Sequence, residues 1–549
     1  MPRQNEEVNE IWMCDKGRFA HHYTESQDRI TRPLIRRDDK LTRGSWETAT
    51  RQAGEAFAAA GTRLLVLASG RLTNEDLYNL KALADHAGGR AVLYTEMGGG
   101  DLTSSVGMGN GSNLGSLGDR STIVVVASDL YEEAPIWYLR VKQAAERGAT
   151  LIVANPRETK LDRYASYVVR YSYGDEVKTI QTLTGRGKIG EAFVRSENAV
   201  ILYGSEGLGL EGSTAVAGAC ARALNDTGHV GRPNNGLIAV WQRANDQGAW
   251  EIGFEPVEDL QAAFDRARAV YIAGADPFGE GALKLKGGRR RPTIVVQDLF
   301  ETDTARLADV VLPAQTHMER EGTLTSGERR VQRFYAALPV PEGTRPDFSI
   351  TSQIARQMGL ILEGTSASVV FDLMAAEEGS PFARLSYDRL ADVHEQWPIV
   401  GRGDVYYGGT TYENRHGLGV QLFTTAQQGK KVRLPRVRRP ATLRPKEKQL
   451  LAVPITRLYD RARTVSSAPL LGNRIGEPYV TLHPSAAEKL GLTDGQHVVI
   501  GLDGTSEHVL LKIDPNVAAG VALVPRSMGL PIRAPTPIRL KTPAREAAR

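Results

Sequence analysis

Between residues 60 and 312, short β-branched runs alternate with helix-like segments, and this alternation restricts the folds open to the chain more than any other feature. The runs are Arg63-Leu-Leu-Val-Leu-Ala68, Ala91-Val-Leu-Tyr94, Thr122-Ile-Val-Val-Val-Ala127, Thr150-Leu-Ile-Val-Ala154, Ala199-Val-Ile-Leu-Tyr203, Ala269-Val-Tyr-Ile-Ala273, Thr293-Ile-Val-Val296 and Asp309-Val-Val-Leu312. They are apolar throughout rather than at every second position, which suits strands covered on both faces. Alternation with helices argues for parallel sheets built from βαβ units. Eight runs are many for one sheet, so the expectation is an α/β protein with two such units. The last hundred residues differ. Pro478-Tyr-Val-Thr-Leu482, His497-Val-Val-Ile500 and His508-Val-Leu-Leu-Lys-Ile513, separated by Asp503-Gly and Pro515-Asn, read as a compact β domain. The stretch 401–419 reads as an irregular loop.

Composition removes several function classes. No run approaches the ~18 apolar residues of a membrane span, and the start, Met1-Pro-Arg-Gln-Asn-Glu-Glu, has no apolar core of a secretory leader. Two cysteines in 549 residues exclude a disulfide scaffold and suit a reducing cytoplasm. A net charge of +4 is too small to imply nucleic acid. Charge is uneven, however: nine Lys or Arg and one acid lie between Lys430 and Lys448, with Pro435, Pro440 and Pro445 among them. This reads as an extended, solvated linker, or as a surface for an acidic neighbouring subunit or anionic headgroups. The basic residues lack the interleaved aromatics of a nucleic-acid groove.

Several strands run into glycine-rich turns, where backbone N–H groups can meet a phosphate. Tyr203-Gly204-Ser-Glu-Gly207-Leu-Gly209-Leu-Glu-Gly212 contains G-x-G-x-x-G between a strand and a helix. Two extra residues precede that motif, and no acid ends the next strand, so a tight turn fits better than a dinucleotide site. Gly274-Ala-Asp276-Pro follows another strand, and a further glycine cluster runs from Gly98 to Gly118. Their repetition suggests a large ligand or the remnant of its site. H-E-x-x-H, G-x-S-x-G and the Walker lysine motif are absent from the sequence. Glu319, Glu321 and Glu328 are acid–base candidates, though such carboxylates are more often at the surface.

Cys14, in Ile11-Trp-Met-Cys-Asp-Lys-Gly-Arg-Phe19, stands apart from the only other cysteine, Cys220. Four thiolates are the usual holder of a [4Fe–4S] cluster, so this chain offers one ligand at most near its start. His21 and His22 lie close by and read as a solvated pair.

Five segments together resemble the molybdopterin oxidoreductase superfamily, and within it the large peripheral-arm subunits of NADH:quinone oxidoreductase, respiratory complex I. They are Asn5-Glu-Glu-Val-Asn-Glu-Ile-Trp-Met-Cys-Asp-Lys-Gly-Arg-Phe-Ala-His; Ala154-Asn-Pro-Arg157; Asn225-Asp-Thr-Gly-His-Val-Gly-Arg-Pro-Asn-Asn-Gly-Leu237 with Arg243-Ala-Asn-Asp-Gln-Gly248; Ala308-Asp-Val-Val-Leu-Pro-Ala314 running into Glu319-Arg-Glu-Gly-Thr-Leu-Thr; and Val480-Thr-Leu-His-Pro-Ser-Ala-Ala-Glu-Lys-Leu-Gly-Leu. They span nearly the whole chain in family order.

The resemblance implies one α/β unit inserted in another, followed by a β-barrel. On that pattern residues 1–45 are a residual Fe–S segment, 46–117 and 225–429 the first unit, and 118–224 the inserted unit. Residues 430–449 are the linker and 450–549 the barrel, with 311–340 returning towards the cluster segment. Cys14 matches the family's fourth cluster cysteine. The first three would lie upstream of Met1, so the expectation is a truncated or split form whose [4Fe–4S] ligand set is incomplete in this chain. Gly204, Gly207, Gly274 and Asp276 become candidates for a vestigial pterin site. No cysteine lies between Cys14 and Cys220 to ligate molybdenum, and nothing singles out Asp101, Ser104 or Ser105 instead. The implied role is therefore a peripheral-arm scaffold for electron transfer from NADH to quinone, without molybdopterin or an active site of its own. It would lie in the cytoplasm against the membrane's inner face, among other hydrophilic-arm subunits. The alternative is a catalytic, formate-dehydrogenase-like subunit taking its cluster cysteines from a separate chain.

Overall fold

Five of the eight apolar runs assemble into one sheet and three into another. The computed structural model describes residues 8–286, 291–390, 394–395, 412–413, 419–441, 443–502 and 505–541. Most of the 401–419 stretch, the Asp503-Gly turn and residues 5–7 of the first family segment lie outside them. The first sheet runs in the order Lys40–Arg43, Leu34–Arg37, Val310–Pro313, Thr293–Asp298, Ala269–Ala273, Leu64–Ala68, Arg90–Leu93. Its last five strands are parallel. The second runs Tyr167–Val169, Thr150–Ala154, Ser121–Val126, Asn198–Tyr203, Gly236–Ala239, parallel throughout. Its strands all fall within the sequence gap between Leu93 and Ala269 of the first sheet, so the second unit is inserted in the first. Central strands such as Leu64–Ala68 and Ser121–Val126 are buried along their whole length, as helices on both faces require.

Two boundaries differ from the sequence reading. The hairpin Leu34–Arg37/Lys40–Arg43 lies within the 1–45 segment but pairs antiparallel with Val310–Pro313 and extends the first sheet. Its two-residue turn, Asp38-Asp39, has positive φ at both positions (46° and 62°), as a tight hairpin demands. Strand Gly236–Ala239 carries the inserted unit past residue 224. It is only four residues long and follows a Gly/Pro/Asn-rich stretch, so it makes a weak signal in the sequence.

Helix ends are fixed by local chemistry. Helix Asn74–His86 opens with a reciprocal cap: Thr73 accepts from the Asp76 N–H, and Asp76 accepts from the Thr73 N–H. Such boxes contribute on the order of 1 kcal/mol. Helix Leu210–Asp226 is rich in Ala and Gly, and its small residues pack into the core of the inserted unit together with Cys220.

The C-terminal sheet orders Thr536–Ile538, Leu450–Ile455, Val521–Pro525, Tyr479–Leu482, Thr505–Ile513, His497–Leu502, Leu540–Lys541. Its two outermost strands are neighbours in sequence, so the sheet nearly closes into a barrel around Ala452, Val480, Ile500, Leu511 and Val524. No helix among the described residues is long and apolar enough to cross a membrane.

Candidate functional site

In parallel α/β sheets the strand carboxyl ends and the loops after them form the ligand-binding edge. Here those loops from both sheets converge with the loops of the barrel that follow Val521–Pro525, as the Glu96–Arg533, Glu96–Arg526 and Arg526–Ser205 contacts show, and their polar residues mark the crevice that this class of sheet has at its strand ends. The barrel is seated by direct bonds: Gly207 N–H donates to Pro454 O at 2.9 Å, and Arg526 donates to Ser205 O at 3.1 Å and to Leu208 O at 2.5 Å.

The four glycine-turn candidates border this crevice, two on each unit, but their polar groups are already engaged within the fold. Gly204 N–H donates to Val126 O, and Gly274 N–H to Gln297 O, both at 3.0 Å. Gly207 has φ 71°, and a Cβ there would lie 2.4 Å from the Tyr173 ring, so its glycine serves a close approach of protein to protein. Asp276 Oδ1 accepts from Gly279 N–H, Thr304 N–H and Thr304 Oγ1 (3.1, 2.9 and 2.6 Å) and ties two loops together. Glycines 98–100 are likewise met by Thr214, Ala217 and Trp250. Asp101 is exposed, Ser104 donates to Gly100 O and Glu251, and Ser105 donates to Asp101 O.

The polar groups left open lie elsewhere. Asp246 is fully buried, and its carboxylate is faced by the backbone N–H groups of Arg243 and Gly70 without a well-formed hydrogen bond to either; Asp298, at a strand end, keeps one oxygen without a well-formed bond. Burial pushes both carboxyls up to about 6 against the pull of nearby cations, Arg243 on Asp246 and Arg71 on both. Across the crevice Arg157 bridges Asp129 (2.9 Å) and Glu206 (2.7 Å), and Glu133, bonded to Ser128, is pushed up to about 8, chiefly by burial. Glu96 takes Arg533 at 2.7 Å and lies 3.4 Å from Arg526 Nε. Sequence reasoning missed these residues. Asp298 ends an apolar run and Asp246 sits in a family segment, and those were the available signals.

Cys14 caps helix Asp15–Phe19, its sulfur 3.4 Å from Gly17 N–H. The helix is held by Tyr459 to Asp15 (2.5 Å) and Lys16 to Asp460 (3.3 Å), both in the connection that follows barrel strand Leu450–Ile455. Further along, Tyr23 meets His317 at 3.2 Å and Arg29 pairs with Glu319. Glu319 is thus buried, as is Glu328, while Glu321 holds Arg333 at 3.0 Å, so none of the three is a free surface acid. His21 and His22 stack at 4.2 Å. Among the described residues no three His, Cys, Asp or Glu side chains converge to hold a metal ion, and Cys220 is sealed in the inserted unit's core, its thiol pushed up by burial.

Residues 29–357 match the family described as molybdopterin oxidoreductase, over more than half of the chain. The chain belongs to that family. Residues 1–22 also match the NADH-ubiquinone oxidoreductase NDSU1/NuoG-like 4Fe-4S domain. Among curated relatives, the F420-dependent formate dehydrogenase 2 subunit alpha of Methanococcus maripaludis is 25% identical, covering 95% of this chain and 89% of that protein. The F420-dependent formate dehydrogenase subunit alpha of Methanocaldococcus jannaschii is 23% identical over 95% of this chain and 90% of its own length. The putative formate dehydrogenase YrhE of Bacillus subtilis is 26% identical, with 71% of this chain spanning 49% of that protein. Acetylene hydratase from Pelobacter acetylenicus shares the fold, with a TM-score of 0.65, 14% identity, and coverage of 96% and 88%.

These findings overturn the expectation that molybdopterin is absent: the family match and three formate dehydrogenase relatives point to a molybdopterin cofactor. The crevice of this molybdopterin oxidoreductase passes a test of fit. A pterin presents adjacent ring N–H and amino donors, and the buried Asp246 carboxylate and one Asp298 oxygen are acceptors without a well-formed hydrogen bond. A buried carboxylate without a partner is costly to keep, and a ligand supplying two donors removes that cost.

Proposed function

We propose that this chain is an electron-transferring subunit in the peripheral arm of an NADH:quinone oxidoreductase, with Cys14 as one ligand of a [4Fe–4S] cluster whose other cysteines come from outside these 549 residues. The observation that carries this reading is the match of residues 1–22 to the NDSU1/NuoG-like cluster domain, with Cys14 inside it. Arg29–Glu319, Tyr23–His317 and Lys16–Asp460 pin the segment carrying Cys14 to the first α/β unit and to the barrel domain. A cluster there would be held at a fixed distance from its neighbours, and electron tunnelling falls steeply with distance. Asp246 and Asp298 would hold the pterin through its donor edge, with Arg71 and Arg243 moderating their charge. When bound, such a cofactor supplies a redox-active centre; the protein supplies position and electrostatics.

A second reading has its own support, because the near-full-length relatives are formate dehydrogenase alpha subunits. It makes the chain a catalytic subunit served by a small Fe–S partner. Gentle purification from the native host separates the two. Co-purification with NADH-oxidising subunits, and loss of cluster iron and NADH:quinone electron transfer in Cys14→Ser, is the result expected. Formate-dependent dye reduction by the chain with only a small Fe–S partner, indifferent to NADH, would replace the first reading by the second.

A further inference from the structure

The segment from Lys430 to Lys448 has a structure that a passive linker does not need. Its described residues form neither helix nor strand, with a turn at 447–448, and they meet helix Leu210–Asp226 of the inserted unit at Arg222 and Gly218. Val432, Leu434 and Val437 pack on that unit's core; Arg222 donates to Pro435 O at 3.0 Å and Arg439 to Gln181 at 2.8 Å. The apolar side chains are therefore spent on the protein's own core, and the alternation turns the basic ones outwards. All nine Lys and Arg of the strap are exposed, and none is in an ion pair among the described residues. At roughly 3.1 Å per extended residue the stripe spans at most about 60 Å.

The strap carries +8 while the whole chain carries +4, so the other residues together are net −4. Like charges at this spacing repel, and a free linker would let them separate. Here the fold holds them in one line. Five of the nine are arginines, whose planar forks match carboxylates in two-point contacts. Insertion into a bilayer calls for apolar groups to enter it, and Val432, Leu434 and Val437 face inwards, which leaves a bilayer only its headgroup charge to offer.

We infer that the strap is a docking rail for an acidic, carboxylate-rich face of a neighbouring protein subunit. This rests on the proposal that the chain works within an assembly, and the test keeps the two apart. The assembly purified from the native host is treated with a water-soluble carbodiimide, which joins a lysine amine to a touching carboxylate as an amide with net loss of water. Links from Lys430, Lys431, Lys446 or Lys448 to Asp or Glu of one stoichiometric subunit are expected. That subunit should also dissociate at lower salt in Lys430→Glu/Lys431→Glu/Arg433→Glu. Links to the same subunit from other lysines, with none from the strap, overturn the rail and leave the assembly reading standing. A chain that purifies without any stoichiometric subunit overturns the assembly reading, and short poly-glutamate then decides the rail. Salt-sensitive binding weakened at least tenfold by the triple variant supports it, and equal binding overturns it. Strap-dependent capture by phosphatidylglycerol but not phosphatidylcholine vesicles, without poly-glutamate binding, overturns it in favour of a lipid surface.

Discussion

Arg29 and Glu319 form a two-point ion pair, Nη1 to Oε1 at 2.9 Å and Nη2 to Oε2 at 3.0 Å, across 290 residues of sequence. Both side chains are under 5% exposed, and Glu319 also accepts from Thr316 N–H at 2.8 Å. Glu319→Ala leaves a buried guanidinium without its counter-charge, and unfolding in urea should show a loss of about 3–5 kcal/mol. Arg29→Met combined with Glu319→Leu should recover most of that loss, because it removes both desolvated charges. Hydrogen exchange at residues 20–32 should accelerate in the single variant. Unchanged exchange there would mean that other contacts hold the segment.

Gly207 makes a second connection, between the inserted unit and the barrel. Gly207→Ala asks a non-glycine residue to take φ 71° and drives a methyl group to 2.4 Å from the Tyr173 ring. Strain and overpacking together should cost about 2–4 kcal/mol. Tyr173→Ala in the same chain should return part of this by opening space, leaving the cost of the backbone conformation. Thermal unfolding of the two single variants and the double gives the coupling; additive losses would place the strain elsewhere.

The parts of the molecule that were legible in the sequence are those whose signal is local. Each of the eight apolar runs overlaps a parallel strand, because burial on both faces leaves a continuous stretch of β-branched residues. The hairpin Leu34–Arg37/Lys40–Arg43 was not legible: five of its eight residues are polar, and it extends the sheet only by pairing with Val310–Pro313. The crevice was half legible. Glycine turns marked its rim, yet at Gly204, Gly207 and Gly274 the reason for glycine is close packing or bonding to the protein itself. Its open acceptors, Asp246 and one oxygen of Asp298, lie on segments 52 residues apart, and only the fold shows that they make no well-formed hydrogen bond.

Stability should decline as pH rises across the range where Glu133 stays protonated only in the folded state. Burial first, then the Glu206 and Asp129 charges, push its carboxyl from 4.5 up to about 8. Between those values the unfolded chain has lost a proton that the folded chain keeps, so unfolding is favoured by up to about 1.4 kcal/mol per pH unit, levelling off above 8. Glu133→Gln keeps a neutral side chain that can still accept from Ser128 and has no proton to lose. Its stability relative to the parent should rise by about 2 kcal/mol from pH 6 to pH 8 in parallel urea titrations. Parallel pH profiles would show that the folded protein already carries Glu133 ionised.

Asp246 gives the sharpest test of what the crevice holds. It is fully buried, its two oxygens make no well-formed hydrogen bond, and burial pushes its carboxyl up to about 6. If it serves only the fold, Asp246→Asn replaces an unpaired buried acid by a neutral isostere, and the melting temperature should hold or rise. If it accepts from a pterin edge, the amide turns one acceptor into a donor aimed at a donor, a mismatch of at least about 1.4 kcal/mol or tenfold in affinity. Pterin released by acid and oxidised with iodine can be counted by fluorescence, independently of any turnover. A folded Asp246→Asn protein with its pterin content cut severalfold is expected. Full pterin retention would move the anchoring role to Asp298, which still offers one unpaired oxygen from the end of strand Thr293–Asp298.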